Sequence, residues 1–480
     1  MSRRPEIRTR DVRLNSIGVR AKIVLKNEMA KIFLHLPIDP VPSTSIEMTN
    51  NCSTLGTATP INESVVESEK QWNVQPSAFS KLCSNPIREI VDNIKKPATS
   101  TKKLIPLSLG DPTVFGNLHC PDVLVEAIVR NTRSMQHNGY IHSAGSEAAR
   151  TAIAEHFGKP EAPLTMEDVI ITSGCSGAIE IALQGLLNPG DNILLPNPGF
   201  PLYRALCAAY KIECRFYTLK PKNNWEVDLE HMQALVDDQT KAILVNNPSN
   251  PCGSVFSKSH SEKILEIAEL NKIPIITDEI YGDMVFGHNS FFPMATLTTT
   301  VPVVAVGGLA KQFLIPGWRV GWITVHDRNN VLNDVRTAYF KLSQNILGAN
   351  SLVQSAIPDL LTPVPGSVEE QSLAAFKKRL FATLDDNAKY TIGKLSKIPG
   401  LEVVVPQGAM YAMVKIQTDV LTKIKDDLDF TQKLLDEESV FVLPGQCFGM
   451  TAYFRIVFSA PHEVLADAYA RLEDFCHRHQ

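Results

Sequence analysis

Between about residues 120 and 330, short apolar runs alternate with helical stretches, and no other feature of the chain narrows its fold so far. The runs are Val169-Ile170-Ile171-Thr172, Ile193-Leu194-Leu195, Ala242-Ile243-Leu244-Val245, Pro274-Ile275-Ile276-Thr277, Val303-Val304-Ala305-Val306 and Val320 to Val325. Between several of them lie segments with helical spacing, such as the stripe Ile179, Leu183, Leu186 and Leu187, and the stretch Lys258 to Asn271. Apolar strands of this length, separated by helices, predict an α/β fold with a mostly parallel sheet covered on both faces. In such sheets ligands gather at the carboxyl ends of the strands.

Beyond about residue 335 the rhythm changes. Val368 to Leu395 reads as one long helix, followed by strand-like Glu402 to Val405, Ala409 to Ile416, Val440 to Leu443 and Tyr453 to Phe458. This predicts a smaller α+β domain, which also takes in the segment before the first run. In that segment Asn85-Pro86 opens a helix with apolar residues at 87, 90, 91 and 94, and Leu104 to Leu109 is a short strand ending in the turn Gly110-Asp111-Pro112. The predicted organisation is a tail over 1–70, the N-terminal part of the small domain over 71–108, a large domain over 109–335 and the C-terminal part of the small domain over 336–480. The tail differs in composition. Met1 to Lys31 carries nine Lys and Arg against Glu6, Asp11 and Glu28, and 15 of the 25 residues from Pro40 to Ser64 are Ser, Thr, Asn or Pro. The first pattern resembles a mitochondrial transit peptide diluted by acids, and the second cannot bury enough surface to fold.

A net charge of −4 and a pI near 6.3 give no reason to expect nucleic acid or a membrane surface as a partner. No apolar run approaches the ~18 residues of a membrane span. The nine cysteines have no C-x-x-C spacing and sit in apolar context, which reads as reduced thiols of an intracellular protein. The compartment expected is the cytoplasm, with the mitochondrion as the alternative.

Chemistry-bearing residues cluster just after the runs. Lys311 follows Gly307-Gly308-Leu309-Ala310 in apolar surroundings, where an incompletely solvated amine becomes a usable nucleophile. Eight residues on, Arg319 offers a rigid fork of donors suited to a phosphate. A lysine for a covalent carbonyl link and an arginine for a phosphate suit pyridoxal phosphate; a loop lysine beside a surface arginine describes them equally well. Each further motif has a functional and a plain reading. Ser173-Gly174-Cys175-Ser176 could present free amides and the Ser176 hydroxyl to a phosphate, or simply cap a helix. In the doubled Asn-Pro turn Asn247-Pro248-Ser249-Asn250-Pro251, Asn250 could donate to a phenolic oxygen, or the segment is turn chemistry alone. Asp278 in Thr277-Asp278-Glu279-Ile280-Tyr281 could hold a pyridine nitrogen protonated, with Tyr281 as a hydroxyl donor, or belong to a solvated acidic loop. Phe200 could stack on a flat ring or fill the core. Arg455, among the strand residues Phe454 to Phe458, could meet a substrate carboxylate or a structural acid.

In chain order the motifs run glycine-serine loop, Phe, Asn-Pro, Asp-x-x-Tyr, Lys, Arg and a C-terminal Arg. That series resembles the class I aminotransferases of pyridoxal-phosphate fold type I. The resemblance extends from about Trp72 to the C-terminus. It includes Asn85-Pro86-Ile87-Arg88, Ser108 to Leu118, Val245 to Phe256, Asp278 to Val285 and Gly307 to Lys311 with Pro316 to Trp322. These longer stretches are similar to the tyrosine-acting members. The resemblance implies a large domain with a seven-stranded, mostly parallel sheet between helices, a smaller α+β domain, and pyridoxal 5'-phosphate as cofactor. It implies a homodimer with shared active sites, acting on small amino acids and 2-oxo acids. The implied reaction passes the amino group of L-tyrosine to 2-oxoglutarate by ping-pong kinetics, the first step of tyrosine catabolism. The alternatives are another aromatic or aliphatic amino donor, a C–S lyase of the same fold, or a non-enzymatic binding protein. By the same resemblance Lys311 carries the cofactor and shuttles the proton, Asp278 faces the pyridine nitrogen, Asn250 and Tyr281 hold the ring oxygen, and Phe200 covers the ring. Cys175, Ser176 and Arg319 bind the phosphate, Tyr140 reaches the phosphate of the neighbouring subunit, Arg455 takes the α-carboxylate, and Gly110 lines the substrate site. Two departures stand out: Gly308 replaces a common phosphate-binding serine, and Ala144 to Ser146 differ from the expected continuation after Tyr140.

Overall fold

The apolar runs form strands that are buried along nearly their whole length. The computed structural model describes residue 72, residues 74–94 and residues 102–480; the tail read for 1–70 lies outside them. Residues 74–480 cluster as one unit. Its larger sheet contains β1 (Val169–Thr172), β2 (Asn192–Asn197), β3 (Glu213–Lys220), β4 (Glu226–Val227), β5 (Thr240–Asn246), β6 (Ile275–Asp278), β7 (Val303–Gly308) and β8 (Gly321–His326). The order is β1-β8-β7-β6-β5-β2-β3-β4. The pairs β7–β6, β6–β5, β5–β2 and β2–β3 are parallel, whereas β8 runs antiparallel to both its neighbours and β4 antiparallel to β3.

Side chains alternate between two apolar layers, as the period of two in a strand requires. Ile193, Leu195, Ala242, Leu244, Ile276 and Val304 face one layer; Leu194, Ile243, Val245, Ile275 and Val303 face the other. Burial on both faces explains why these strands read as unbroken apolar runs rather than as alternating ones. The sheet has eight strands rather than seven because the two-residue β4 adds an edge. Strand β3 was not legible as an apolar run because Glu213, Arg215, Thr218 and Lys220 interrupt its pattern near that edge.

A second sheet, antiparallel throughout, orders β9 (Leu401–Val403), β10 (Tyr411–Ile416), β12 (Tyr453–Val457) and β11 (Leu443–Pro444). It shares one apolar core with the long helix Val368–Leu395, which buries Phe376, Leu380, Leu384, Ala388, Thr391 and Leu395 at three- and four-residue intervals. Phe430 stacks on Phe454 with ring centroids 5.1 Å apart, tying the helix Asp427–Glu438 to β12.

Ile105 and Leu107, well ahead of the large sheet in the chain, join this second core. The strand read from Leu104 to Leu109 shrinks to Ile105–Pro106, because proline lacks the donor that would continue a ladder. It pairs in parallel with Val440–Phe441. The Leu107 carbonyl accepts from the Val457 amide at 2.9 Å, which brings Ser108, Leu109 and Gly110 alongside β12. Helix α1 (Pro86–Val91) begins as expected, with Asn85 Oδ1 accepting from the Ile87 amide at 3.0 Å and Pro86 in the first turn.

Candidate active site

Strands β1, β2, β5, β6 and β7 all point their carboxyl ends to one edge of the sheet, and the residues that follow them meet there. At the end of β6 stands Asp278, only 3% exposed. Its carboxylate accepts from Tyr203 Oη at 2.7 Å and from the Ile280 amide at 3.2 Å, with Cys175 Sγ at 3.6 Å. Burial pushes this carboxyl above the ordinary range, and the donors pull it back. Burial, reinforced by the Asp278 charge, raises the Tyr203 phenol and the Cys175 thiol well above their usual values, so both stay protonated toward the carboxylate. Asp278 forms no ion pair among the described residues.

At the end of β5, Asn246 acts as a brace. Its Nδ2 donates to the Asp278 carbonyl at 3.1 Å and its Oδ1 accepts from the Asn250 amide at 2.7 Å. Asn250 is thereby fixed with Oδ1 accepting from Arg455 Nη1 at 3.0 Å, while its Nδ2 has no partner among the described residues. Tyr281 and Tyr411 share a hydrogen bond of 2.7 Å between their hydroxyls, with rings nearly perpendicular. Burial, then the neighbouring Tyr411, pushes the Tyr281 phenol well up.

Arg455 on β12 is 3% exposed. Its guanidinium lies over the rings of Tyr411 and Phe448 at 4.5 and 4.9 Å, and Nη2 donates to the Ser108 carbonyl at 2.6 Å. Its Nε is buried with no partner, and no acid pairs with it among the described residues. Burial lowers its pKa from the usual value, yet a guanidinium stays charged. A buried cation with an unspent donor calls for an anion.

Lys311 follows β7, and its Nζ donates to the Gly110 carbonyl. Arg319 has a left-handed backbone, φ 56°, and donates to the Pro316 carbonyl at 2.8 Å and the Ser173 carbonyl at 3.4 Å. A Cβ on Gly174 would lie 2.5 Å from Arg319 Nη2, so only glycine, also at positive φ here, lets the guanidinium rest against the start of the helix Gly174–Leu186. Ser176 lies in the first turn of that helix, with its free amides. Phe200 sits edge-on to Tyr203 at 5.6 Å.

These side chains border one cavity of about 390 Å³. Lys311, Asp278, Tyr281, Cys175, Ser176, Phe200, Asn250, Arg319, Arg455 and Gly110 all line it. Tyr140 does not: it is 92% exposed and lies away from the cavity. Cys175 lines it with its thiol turned toward Asp278. Among residues not anticipated, Tyr203 is one helical turn beyond Phe200, a spacing visible in the sequence, and Asn246 opens the same Asn-Pro run as Asn250. Tyr411 comes from β10, far along the chain, with no local signal. It also explains Gly110, whose Cβ would lie 2.9 Å from the Tyr411 hydroxyl. The Gly308 departure has a steric cause: a Cβ there would lie 2.9 Å from both Gly321 Cα and the Val320 carbonyl oxygen, leaving no room for serine.

The donor set fits pyridoxal phosphate. A buried carboxylate without a cation suits a protonated ring nitrogen, and the Gly174–Arg319 cradle at a helix start suits a phosphate. The comparisons agree. The family described as "Aminotransferase class I and II" matches residues 102–472. The tyrosine aminotransferase of Mus musculus is 46% identical over 410 residues, 85% of this chain and 88% of the relative. That of Dictyostelium discoideum is 47% identical over 415 residues, 86% and 98% of the two chains. The crystal structure of tyrosine aminotransferase from Leishmania infantum superposes with a TM-score of 0.81 at 38% identity, covering 86% of this chain and all of that one. With its lysine, unpaired carboxylate and unpaired guanidinium around one cavity, the chain belongs to the class I and II aminotransferases.

Proposed function

We propose that the chain transfers the α-amino group of L-tyrosine to 2-oxoglutarate, with pyridoxal 5'-phosphate as cofactor, yielding 4-hydroxyphenylpyruvate and L-glutamate. The observation that carries this reading is the meeting of Lys311, Asp278 and Arg455 at one cavity in a chain 46–47% identical to tyrosine aminotransferases. Bound there, the cofactor supplies an electron sink for the pair left at the substrate α-carbon. Asp278 keeps a proton on the ring nitrogen by its charge. Arg455 clamps the α-carboxylate and so aims the α-hydrogen at the Lys311 amine. Lys311 Nζ, at the cavity beside the Gly110 carbonyl, would hold the proton taken from the α-carbon, as base and then as acid. Asn250 Nδ2 and the Tyr281 hydroxyl would hold the cofactor's ring oxygen, and Phe200 would pack against its ring. The phosphate is met by Arg319, the Ser176 hydroxyl and the Cys175 backbone amide, since the Cys175 thiol turns to Asp278.

The proposal extends to assembly and place. A homodimer completes each site with Tyr140 from the neighbour, a role suited to a tyrosine 92% exposed. The pairing of Ile105 with Val440 supports grouping 71–108 with 336–480 around the large domain 109–335, and nine cysteines without paired spacing support a cytoplasmic enzyme. Purified protein loaded with pyridoxal phosphate should convert L-tyrosine and 2-oxoglutarate to 4-hydroxyphenylpyruvate and glutamate in equal amounts. Release of pyruvate from cystine without such conversion would assign the site to a C–S lyase instead.

A further inference from the structure

Four cationic side chains border the cavity: Arg88, Lys311, Arg319 and Arg455. Three are engaged, by Gly110, by Pro316 and Ser173, and by Asn250 and Ser108. Arg88 is exposed, and among the described residues its guanidinium has neither a hydrogen-bond partner nor an acid. Both acids of the lining are already satisfied. Asp278 is held as described, and Asp111 accepts from the Thr113 amide and hydroxyl at 2.8 and 2.7 Å.

Arg88 is placed by its helix rather than by chance. Pro86 is buried, and Ile87, Ile90 and Val91 pack against Leu443, Cys447 and Phe448, which fixes α1 against the cavity wall. On that wall its neighbours are apolar: Ile87, Val91, Leu109, Phe441 and Leu443.

The reaction imposes two incompatible demands on this space. In one half it holds a phenol ring, which an apolar wall suits. In the other it holds the second carboxylate of 2-oxoglutarate, which an apolar wall repels unless a cation meets it. Arg455 is spoken for by the α-carboxylate and Arg319 by the phosphate. An arginine can serve both states, because its planar fork meets a carboxylate with two bonds, while its stem can lie on apolar surface with the head in water. We propose that Arg88 is the specificity-determining residue for dicarboxylic substrates. It binds their side-chain carboxylate, and its head turns to solvent when an aromatic side chain fills the same space. This assignment rests on the reading of 2-oxoglutarate as the amino acceptor.

The test is a substrate split on the holoenzyme. Arg88→Gln should raise KM for 2-oxoglutarate and oxaloacetate roughly 10- to 100-fold, the loss expected for one charge-assisted contact. KM for L-tyrosine and for the monocarboxylic acceptor phenylpyruvate should move less than about threefold on the same grounds. Arg88→Lys should recover part of the loss. In parallel, calorimetry with the unreactive dicarboxylate glutarate should show weaker binding to Arg88→Gln, and binding of 3-phenylpropionate should be unchanged. If wild-type protein does not turn over tyrosine with 2-oxoglutarate, the activity reading falls while the glutarate titration still judges Arg88. Equal losses for all acceptors, or unchanged glutarate and 2-oxoglutarate affinities, would overturn the assignment.

Discussion

Asp278 shows how single residues set the chemistry. Its carboxylate is buried without a cation and is held in place by Tyr203, whose hydroxyl donates at 2.7 Å. Burial raises the Asp278 pKa and the Tyr203 bond lowers it. Removing the bond therefore lets the pKa rise further. The reaction needs the ionised carboxylate, so activity is lost as pH falls through that pKa. Tyr203→Phe should move the acid limb of the kcat/KM profile to higher pH and lower the plateau by about tenfold, the effect of one hydrogen bond to a charged group. An unmoved acid limb would mean that Tyr203 does not act through Asp278. Singly, Lys311, Asp278, Asn250 and Arg319 each had a plain reading in the sequence; only their order along the chain singled them out, and all four line the cavity. Tyr203 and Tyr411 were not legible, because a tyrosine in an apolar stretch reads as core until its hydroxyl is seen to meet a partner from a distant segment.

At the scale of elements, the site depends on how closely β7 approaches β8. Gly308 pairs with Gly321, and a Cβ at 308 would press on backbone atoms that cannot yield. Gly308→Ser should cost about 1–3 kcal/mol of stability, read as a lower denaturant midpoint with an unchanged slope. It should also weaken cofactor binding, since Lys311 follows β7 and Arg319 leads into β8. A neutral outcome would show that the strands can part without penalty. The alternation of apolar runs made the central strands legible, because burial on both faces leaves an unbroken apolar signature. Strands β3 and β4, at and next to one edge, escaped for the converse reason: one side of them meets water, and their polar residues mask the strand.

For the molecule as a whole, sequence order and spatial order diverge. The cavity draws on α1 and the 108–111 turn near the start, on five strand ends in the middle, and on β10 and β12 near the end. Local periodicity could find each element but not this convergence, which is fixed by long-range pairings such as Ile105 with Val440 and Leu107 with Val457. The proposed dimer extends the same logic across subunits. Tyr140→Ala should weaken cofactor retention by about tenfold, as the loss of one phosphate contact would. Mixed and reassorted Tyr140→Ala and Lys311→Ala chains should recover up to about a quarter of the sites, because one site in each hybrid dimer regains both residues. No recovery from verified hybrids would place Tyr140 outside the neighbour's site.

Every assignment turns on the lysine in the turn after β7. Borohydride reduction of the active, cofactor-loaded protein, followed by peptide mass spectrometry, tests it most directly. The account predicts one modified peptide, with the pyridoxyl group on Lys311, and its loss together with turnover in Lys311→Ala. A pyridoxyl group on another lysine of active protein, or full turnover by Lys311→Ala, would contradict it.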